Sequence, residues 1–307
     1  YGSMRDNVLA LKIILPDGRL IKTGTRARKS AAGYDLTHLF TGSEGTLGLI
    51  VEATLRLHPR PEATLAATWD FASEQGAIDT VAMAIQCGIT PARMEFLDRA
   101  AVDACNRLSS LGLPDRPMLF LEFHGSAAEV DAQLTMVEGI GRDLGGGHLQ
   151  QAKTEEERNK LWRARHQALP AARALRAGSV AWVTDICVPI SKLAGAIAHA
   201  RGLIDAAGLV APMLGHVGDG NFHVFFILDP AMPDEWTRAS AVNKAMIEYA
   251  IAAGGTSTGE HGIGLGKRQA LIDEHGATAV ALMQTIKRAI DPANIMNPGK
   301  IFMDGEA

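Results

Sequence analysis

Two histidines and three glycines lie in the segment GHVGDGNFH, residues 215–223, which continues into the apolar run VFFIL. His216 and His223 are seven residues apart, so on one straight strand their side chains would face opposite sides of a sheet. Gly218 and Gly220 permit a tight reversal that would bring both imidazole rings to one point. The segment therefore predicts a metal site at the start of a strand, and the alternative is a loop with two ordinary histidines.

A carboxylate and a third imidazole follow in the segment GGTSTGEHGIGLGKR, where glycines bracket Glu260 and His261. Adjacent side chains in such a loop can point apart, so that one binds a metal while the other acts as a base. Two neutral imidazoles and one carboxylate make the mixed donor set that suits divalent Zn, Mn or Fe. The alternative is a loop between helices that carries solvent-facing charges.

A buried cation is predicted on the helix that begins in TEEERNKLWRARHQALP and that we expect to end at Pro170. Thr154 and Glu157 form a capping box at its start. Arg165 lies within the apolar stripe of this helix, which consists of Leu161, Trp162, Ala168 and Leu169. A guanidinium that faces the interior needs an anionic partner. That partner is either the carboxylate of a substrate or a structural Asp or Glu.

The composition limits the class of protein that positions these groups. The chain has 307 residues, 47% of them hydrophobic, and a net charge of -4, which fits one large or two ordinary domains and excludes a nucleic-acid groove. Cys87, Cys105 and Cys187 are widely spaced, which argues against a disulfide framework and favours a reducing compartment. No apolar run is long enough for a membrane span. We expect a cytoplasmic protein, or one peripheral to a membrane, with any targeting segment elsewhere.

The elements that must position these residues change character along the chain. Residues 1–57 read as a hairpin, a loop and the glycine-punctuated strand segment LFTGSEGTLGLIVEATLRL, and the sequence HPRP then breaks regular structure. Beyond it, short β-type runs alternate with amphipathic helical runs, which predicts helices covering a sheet. Because the chain begins inside a hairpin, we expect it to be the later part of a longer protein.

Seven motifs occur in an order that resembles a known family: YGSMRDNVL, GYDLTHLFTGSEGTLGLI, LWRARHQA, TDICVPISKL, GHVGDGNFH, TGEHGIGLGKR and MNPGKIF. Together they resemble the FAD-linked oxidases with the vanillyl-alcohol-oxidase type of flavin fold. Within that family the chain is most similar to the branch that contains cytochrome-linked D-lactate dehydrogenases, glycolate oxidase FAD subunits and D-2-hydroxyglutarate dehydrogenases.

The resemblance implies an α+β fold. Residues 1–57 would be the C-terminal part of a split FAD-binding domain whose upstream half is absent. Residues 58–287 would form an α/β sandwich substrate domain with a mainly antiparallel sheet and the metal site, and residues 288–307 would return to the FAD domain. Without the upstream half we expect this chain alone to bind FAD weakly or not at all, and to be inactive.

The resemblance also implies roles for single residues. His216, His223 and Glu260 would bind the divalent metal, His261 would be the base that takes the 2-hydroxyl proton, and Arg165 would bind the substrate carboxylate. The α-hydrogen would pass as hydride to flavin N5. For FAD, the matching positions are Ser43, Glu44, Gly45, Thr46, Gly48, Ile50 and Asn297.

The expected activity is oxidation of a small D-2-hydroxy acid, similar to D-lactate, to the 2-oxo acid. Val183 stands where the hydroxyglutarate branch carries a Lys, so a second substrate carboxylate would lose its charged partner. D-2-hydroxyglutarate or glycolate oxidation is the alternative within the family, and a metal-dependent hydrolase or a non-catalytic metal-binding fragment is the alternative outside it. The expected partner is an electron acceptor, either a cytochrome, a quinone or an electron-transfer flavoprotein. The oligomeric state is open and includes a homodimer.

Overall fold

The computed structural model describes residues 1–27, 29–109 and 111–303, so the last four residues of the expected segment 288–307 lie outside the described residues. The chain forms two compact units. The first unit combines Tyr1–Arg60 with Glu260–Ala307, and the second unit is Pro61–Gly259. The sequence places residues 58–287 together, whereas residues 260–287 belong to the first unit in the structure.

The described residues contain eleven strands and eleven helices. The strands are β1 Val8–Ile14, β2 Leu20–Lys22, β3 Leu49–Leu55, β4 Ala63–Phe71, β5 Arg93–Leu97, β6 Met118–Gly125, β7 Gly146–Ala152, β8 Val180–Val183, β9 Ile186–Cys187, β10 Met213–His216 and β11 Asn221–Leu228. The helices are α1 Met4–Asn7, α2 Leu36–Phe40, α3 Glu74–Gln86, α4 Arg99–Ser109, α5 Ala127–Asp143, α6 Glu155–His166, α7 Ala168–Ala174, α8 Ile190–Ala207, α9 Pro233–Ala252, α10 Arg268–His275 and α11 Ala277–Ile290.

The first unit is built on a three-stranded antiparallel sheet with the order β2-β1-β3. The β1–β2 hairpin confirms the prediction from the sequence. The core of the first unit contains Ile13 of β1 and Phe40 of α2, and Ile286 and Ile290 of α11 pack against the same cluster. This apolar contact of α11 is the physical reason why residues 260–287 join the first unit.

The second unit is built on an eight-stranded sheet with the order β7-β4-β6-β5-β10-β11-β8, and β9 pairs with β11. All its described strand pairs are antiparallel. Side chains alternate between two apolar cores: Phe222 and Phe226 of β11 lie in one core, and Phe225 and Ile227 lie in the other. Helices α3, α5, α8 and α9 cover the first face, and α4, α6 and α7 cover the second. The predicted α+β fold with a mainly antiparallel sheet is confirmed.

The helix that carries Arg165 ends earlier than the sequence predicts. It ends at His166, and α7 begins at Ala168 and contains Pro170 in its first turn. Proline is tolerated there because the first N–H groups of a helix have no partner within the helix. The predicted stripe is therefore divided between two helices, with Trp162 buried and Leu169 37% exposed.

The two longest helices, α8 and α9, have 18 and 20 residues. Each buries one side against the core of the second unit and exposes charged residues on the other. Among the helices of the described ranges, none combines the length and the apolar content that crossing a bilayer requires.

Two glycines of α5 should respond in opposite ways to substitution by alanine. A Cβ at Gly141 would lie 2.2 Å from Cη2 of the buried Trp69, whereas a Cβ at the exposed Gly139 would meet nothing within 4 Å. We expect Gly141→Ala to lower the free energy of unfolding by about 1–3 kcal/mol through overpacking. Gly139→Ala should raise it by about 0.5–1 kcal/mol because alanine loses less backbone entropy in a helix. Urea unfolding measures both values, and equal effects of the two variants would contradict this packing.

Candidate functional site

The structure brings His216 and His223 together in the second unit. A 3-10 turn, Val217–Asp219, follows β10, and Gly220 leads into β11 with a φ of 78°. A Cβ at Gly220 would lie 2.1 Å from the carbonyl oxygen of Val188, so this reversal requires glycine. Leu214 pairs with His223 across the β10–β11 ladder, so these two side chains lie on the same face of the sheet. His216 is two residues from Leu214 and therefore lies on that face as well. Their ring centroids are 5.5 Å apart at an interplanar angle of 84°.

Hydrogen bonds fix which nitrogen of each ring carries the proton. His216 Nδ1 lies 2.6 Å from Glu95 Oε1, and His223 Nδ1 lies 2.9 Å from the carbonyl oxygen of Thr184. A carbonyl or an ionised carboxylate only accepts, so Nδ1 donates in both rings, and in the neutral ring Nε2 carries the lone pair. Metal-binding histidines are commonly held in this way. The two side chains therefore fit a divalent cation.

Glu95 is a functional candidate that the sequence alone does not predict. It lies on β5 directly opposite His216 of β10, and its side chain is 11% exposed. Burial pushes the pKa of Glu95 upward, but the hydrogen bond from His216 and the charge of Arg165 outweigh burial and hold the pKa below its ordinary value. The only signal in the sequence is a single glutamate within the apolar strand RMEFL.

Arg165 has a structural anion as its partner. Its Nε and Nη2 atoms lie 2.9 Å and 2.7 Å from Glu95 Oε2, and its side chain is 12% exposed. Of the two alternatives left open by the sequence, the structure therefore provides the internal carboxylate. Glu95 uses the Nε edge of the guanidinium, and the Nη1 edge is the one with which a second carboxylate would pair.

A second buried carboxylate, Glu122 on β6, helps to dock α6 on the sheet. Trp162 donates its indole N–H to Glu122 at 2.6 Å, and His124 Nε2 lies 2.9 Å from the same carboxylate. The guanidinium of Arg93 stacks over the Trp162 ring at 4.9 Å. Helix α6 is thus held by two polar contacts to neighbouring strands, one through Trp162 and one through Arg165.

A polar cluster lies at the start of β11. Asn221 donates its amide to Asp185 at 2.8 Å and to the carbonyl oxygen of Ile186 at 2.9 Å, and Thr258 donates to Asp185 at 2.6 Å. The Oδ1 atom of Asn221 is buried and has no hydrogen-bond partner within the described ranges. A buried acceptor without a donor is costly, so this oxygen suits a ligand or water that donates a proton.

Glu260 and His261 follow Gly259 directly in the chain and belong to the first unit. Both side chains are exposed, and His261 Nε2 lies 3.4 Å from Glu260 Oε1. The ligand set predicted from the sequence is therefore divided: His216 and His223 belong to the second unit, and Glu260 belongs to the first. The role of Glu260 as third ligand stays a prediction.

The predicted FAD loop is a tight turn in the first unit. Glu44 and Gly45 have φ values of 52° and 72°, and the Thr46 N–H donates to the Ser43 carbonyl oxygen at 2.9 Å. Asn297 donates its side-chain amide to the Glu44 carbonyl oxygen at 2.6 Å. The structure thus brings Asn297 to the loop, and the absence of a side chain at Gly45 leaves the backbone open to a flat ligand.

The side chain of Glu44 has a structural role in this loop. Its carboxylate accepts the backbone N–H groups of Ile263 at 2.7 Å and of Gly264 at 2.8 Å. A Cβ at Gly262 would lie 2.7 Å from the same carboxylate, so the glycine lets the two segments approach. Glu44 therefore ties the loop to the segment that follows His261.

Two further positions predicted to contact FAD have other surroundings. A Cβ at Gly48 would lie 2.6 Å from Ile13 Cγ2 and 3.0 Å from the Ile14 carbonyl oxygen. Gly48 is therefore needed for packing against β1, whatever else it does. Ile50 lies on β3 with 46% of its surface exposed.

The chain matches a known protein family over most of its length. The family described as FAD linked oxidases, C-terminal domain, matches residues 60–301. This range includes both histidines of the reversal, Arg165, Glu95 and the segment with Glu260 and His261.

Named relatives match almost the whole chain. It is 48% identical to a probable mitochondrial D-lactate dehydrogenase of Danio rerio, over 98% of this chain and 61% of the relative. It is 42% identical to a mitochondrial D-lactate dehydrogenase (cytochrome) of Arabidopsis thaliana, over 98% and 53%. It is 36% identical to the glycolate oxidase subunit GlcD of Bacillus subtilis, over 98% and 64%. The chain thus spans between about half and two thirds of the length of these relatives.

Two solved structures share the fold at low sequence identity. The 4-ethylphenol oxidase from Gulosibacter chungangensis has a TM-score of 0.76 at 15% identity, covering 97% of this chain and 66% of that protein. The p-cresol methylhydroxylase has a TM-score of 0.73 at 18% identity, covering 99% and 66%. These similarities confirm the vanillyl-alcohol-oxidase type of fold and bear on the fold alone.

Removing the buried cation Lys287 should loosen the predicted FAD loop. Its ammonium group donates to the Thr46 carbonyl oxygen at 2.8 Å, to the Met296 carbonyl oxygen at 2.9 Å and to the buried Asp291. We expect Lys287→Met to lower the free energy of unfolding by about 3–5 kcal/mol, because it leaves a buried carboxylate without its cation. Hydrogen exchange should increase at residues 43–46 and 296–297.

The matched control is Lys244→Met. Lys244 pairs with Glu248 at the same i,i+4 spacing, but the two side chains are 79% and 63% exposed. An exposed pair of this kind contributes about 0.3–0.5 kcal/mol. If the two lysine variants unfolded at the same urea concentration as the unaltered chain, the interpretation of Lys287 as a structural tie would be wrong.

Proposed function

Because the chain belongs to the FAD-linked oxidases, whose C-terminal domain matches residues 60–301, we propose that it forms the substrate-binding part of a D-2-hydroxy acid dehydrogenase. One observation carries this proposal: Glu95 connects His216, a candidate metal ligand, to Arg165, a candidate carboxylate ligand, through hydrogen bonds of 2.6–2.9 Å. A 2-hydroxy acid presents a hydroxyl group next to a carboxylate, and this pair of groups matches both functions.

The metal would be bound by Nε2 of His216 and His223, with Glu260 as the third ligand predicted from the sequence. When bound, a divalent Zn, Mn or Fe ion would polarise the hydroxyl oxygen of the substrate and lower its pKa. The chain's own contribution is orientation: Glu95 and the Thr184 carbonyl oxygen hold each ring by its Nδ1–H group.

Arg165 would bind the substrate carboxylate through the guanidinium edge that Glu95 does not use. The side chains of Arg165 and Glu95 are 12% and 11% exposed, and charge-assisted hydrogen bonds are strongest where such groups are shielded from water. Val183 lies partly buried against the apolar cluster that contains Phe225. An apolar residue at this position favours binding of a small monocarboxylate such as D-lactate. Two relatives named as D-lactate dehydrogenases support the same class of substrate.

His261 would accept the proton of the 2-hydroxyl group as a general base. FAD held by the residues proposed for it would supply the acceptor for the α-hydrogen of the substrate, which would leave as a hydride. The residues proposed to contact FAD are Ser43, Glu44, Gly45, Thr46, Gly48, Ile50 and Asn297. For Glu44 and Asn297 the contact would be through the loop that they stabilise, since their polar groups already bind backbone atoms.

The electron acceptor that we propose is a cytochrome, because one of the relatives is named as a cytochrome-linked enzyme. A quinone or an electron-transfer flavoprotein is the alternative, and a homodimer is the proposed assembly. Glycolate is the second candidate substrate, since the chain is 36% identical to a glycolate oxidase subunit. A metal-dependent hydrolase would use the same histidines but would have no need of the FAD-linked oxidase fold.

The first test follows the flavin directly. A full-length enzyme that includes the FAD-binding region is loaded with FAD and mixed anaerobically with D-lactate, L-lactate, glycolate or D-2-hydroxyglutarate. We expect D-lactate to bleach the visible flavin absorbance and L-lactate to leave it unchanged. If glycolate or D-2-hydroxyglutarate bleached the flavin faster than D-lactate, that acid would replace D-lactate as the proposed substrate. Absence of bleaching by all four acids would refute the dehydrogenase proposal.

The second test concerns the carboxylate. In the same enzyme, Arg165→Met should raise KM for D-lactate and lower kcat, so that kcat/KM falls by about 30-fold to 1000-fold, as expected for a charge-assisted contact. The matched control is Arg163→Met on the exposed side of the same helix, which should change kcat/KM little. If the two variants had similar kinetic constants, Arg165 would not bind the substrate.

A further inference from the structure

We propose that Glu95 is a positioning residue, which imposes on His216 the tautomer that a metal requires and which is itself held in the necessary orientation by Arg165. This inference rests on the proposed function of the two histidines. It assigns Glu95 a task that is separate from contact with metal, flavin or substrate.

The two oxygens of Glu95 have different partners. Oε1 lies 2.6 Å from His216 Nδ1, and Oε2 lies 2.9 Å and 2.7 Å from Nε and Nη2 of Arg165. The strand register fixes the first contact, because Glu95 and His216 are directly opposite in the β5–β10 ladder. The second contact comes from α6. With 11% exposure, the carboxylate has little room to exchange these partners for water.

The atom that faces His216 decides the chemistry of that ring. When an acceptor faces Nδ1, the ring proton is on Nδ1 and the Nε2 lone pair can bind a metal. When a donor faces Nδ1, the proton moves to Nε2 and the ring cannot bind through that nitrogen. A carboxylate offers an acceptor in both orientations, whereas an amide of the same shape offers an acceptor in only one.

Because Arg165 contacts the same side chain, the substitution Glu95→Gln tests whether Glu95 determines the tautomer of His216. The guanidinium carries only donors, so it selects the orientation in which the Gln oxygen faces Arg165 and the Gln amide faces His216. That orientation places a donor against Nδ1 and favours the tautomer with the proton on Nε2. The variant keeps the shape of the side chain and reverses the hydrogen bond at the histidine.

The structure supplies a matched control in Glu122. This carboxylate lies on the neighbouring strand β6 with its side chain 6% exposed, on the same face of the sheet. It accepts the indole N–H of Trp162, lies 2.9 Å from His124 Nε2, and lies 3.7 Å from Arg93 Nε. Because the oxygen of Gln can still accept the indole N–H of Trp162, Glu122→Gln removes a buried negative charge while keeping the contact that docks α6 and the partner of His216.

The primary measurement is the affinity of the chain of residues 1–307 for Zn²⁺ or Mn²⁺ alone, by isothermal titration calorimetry. Thermal unfolding of the same chain is measured beside it. We expect Glu95→Gln to raise Kd by about 10-fold to 100-fold, the range found when an outer-shell partner of a metal ligand is removed. Glu122→Gln should leave Kd unchanged. In the double variant Glu95→Gln with Arg165→Met, the Gln can turn its oxygen to His216, and most of the lost affinity should return.

A spectroscopic measurement tests the tautomer first in the unaltered chain, where no variant has to fold. The side-chain ¹⁵N shifts of His216 in the metal-free chain should show the proton on Nδ1, and Glu95→Gln should move it to Nε2. A proton on Nε2 in the unaltered chain would overturn the inference.

The remaining outcomes separate this inference from the proposed function. If His216→Ala and His223→Ala abolish metal binding while Glu95→Gln binds as tightly as the unaltered chain, Glu95 does not position His216, although the metal site stands. If Glu122→Gln lowered the affinity for the metal as much as Glu95→Gln does, Glu95 would have only a structural role, and this result would also overturn the inference. If the unaltered chain binds neither metal, or binds it equally well without the histidines, both proposals are wrong.

Discussion

The carboxylate of Glu95 is the contact on which the candidate site depends. It is buried between the imidazole of His216 on β10 and the guanidinium of Arg165 on α6. Neither Glu95 nor Arg165 would tolerate this environment alone, because an unpaired buried charge is very costly. The sheet determines where Glu95 and His216 meet. Helix α6 must then place Arg165 at the same point, and the contact between Trp162 and Glu122 fixes its position along the strands.

In the first unit, too, charged side chains join segments that are distant in the chain. Lys287 joins the loop at Thr46 to the segment at Met296, and the carboxylate of Glu44 accepts backbone N–H groups from residues 263 and 264. Loops whose backbone must stay open to a ligand cannot be held by apolar packing alone. In both units, buried charged side chains connect segments that are distant in the chain, and these connections define the conformation of the segments with predicted function.

The sequence predicts local features well and distant partners poorly. The reversal between His216 and His223 is readable because glycines at fixed positions are needed for it, and the α+β architecture is readable from alternating periodicities. The interior position of Arg165 was predicted, but its partner lies 70 residues away on an apolar strand, where no pattern marks it. In the sequence, Pro170 indicates the end of a helix, although the first turn of a new helix tolerates proline equally. The sequence predicts that residues 288–307 return to the first unit, whereas in the structure this unit resumes at Glu260, because Ile286 and Ile290 pack against its core.

Strand β3 has a consequence for the behaviour of the chain in solution. In the described residues it pairs with β1 alone, and Leu49, Ile50 and Val51 are 57%, 46% and 49% exposed. Its other edge therefore presents backbone donors and acceptors beside a band of branched apolar side chains. Such an edge is a template on which any extended polypeptide can continue the sheet. The exposed edge of β3 therefore favours association between copies of this chain, and this tendency is separate from the thermodynamic stability that the apolar cores provide.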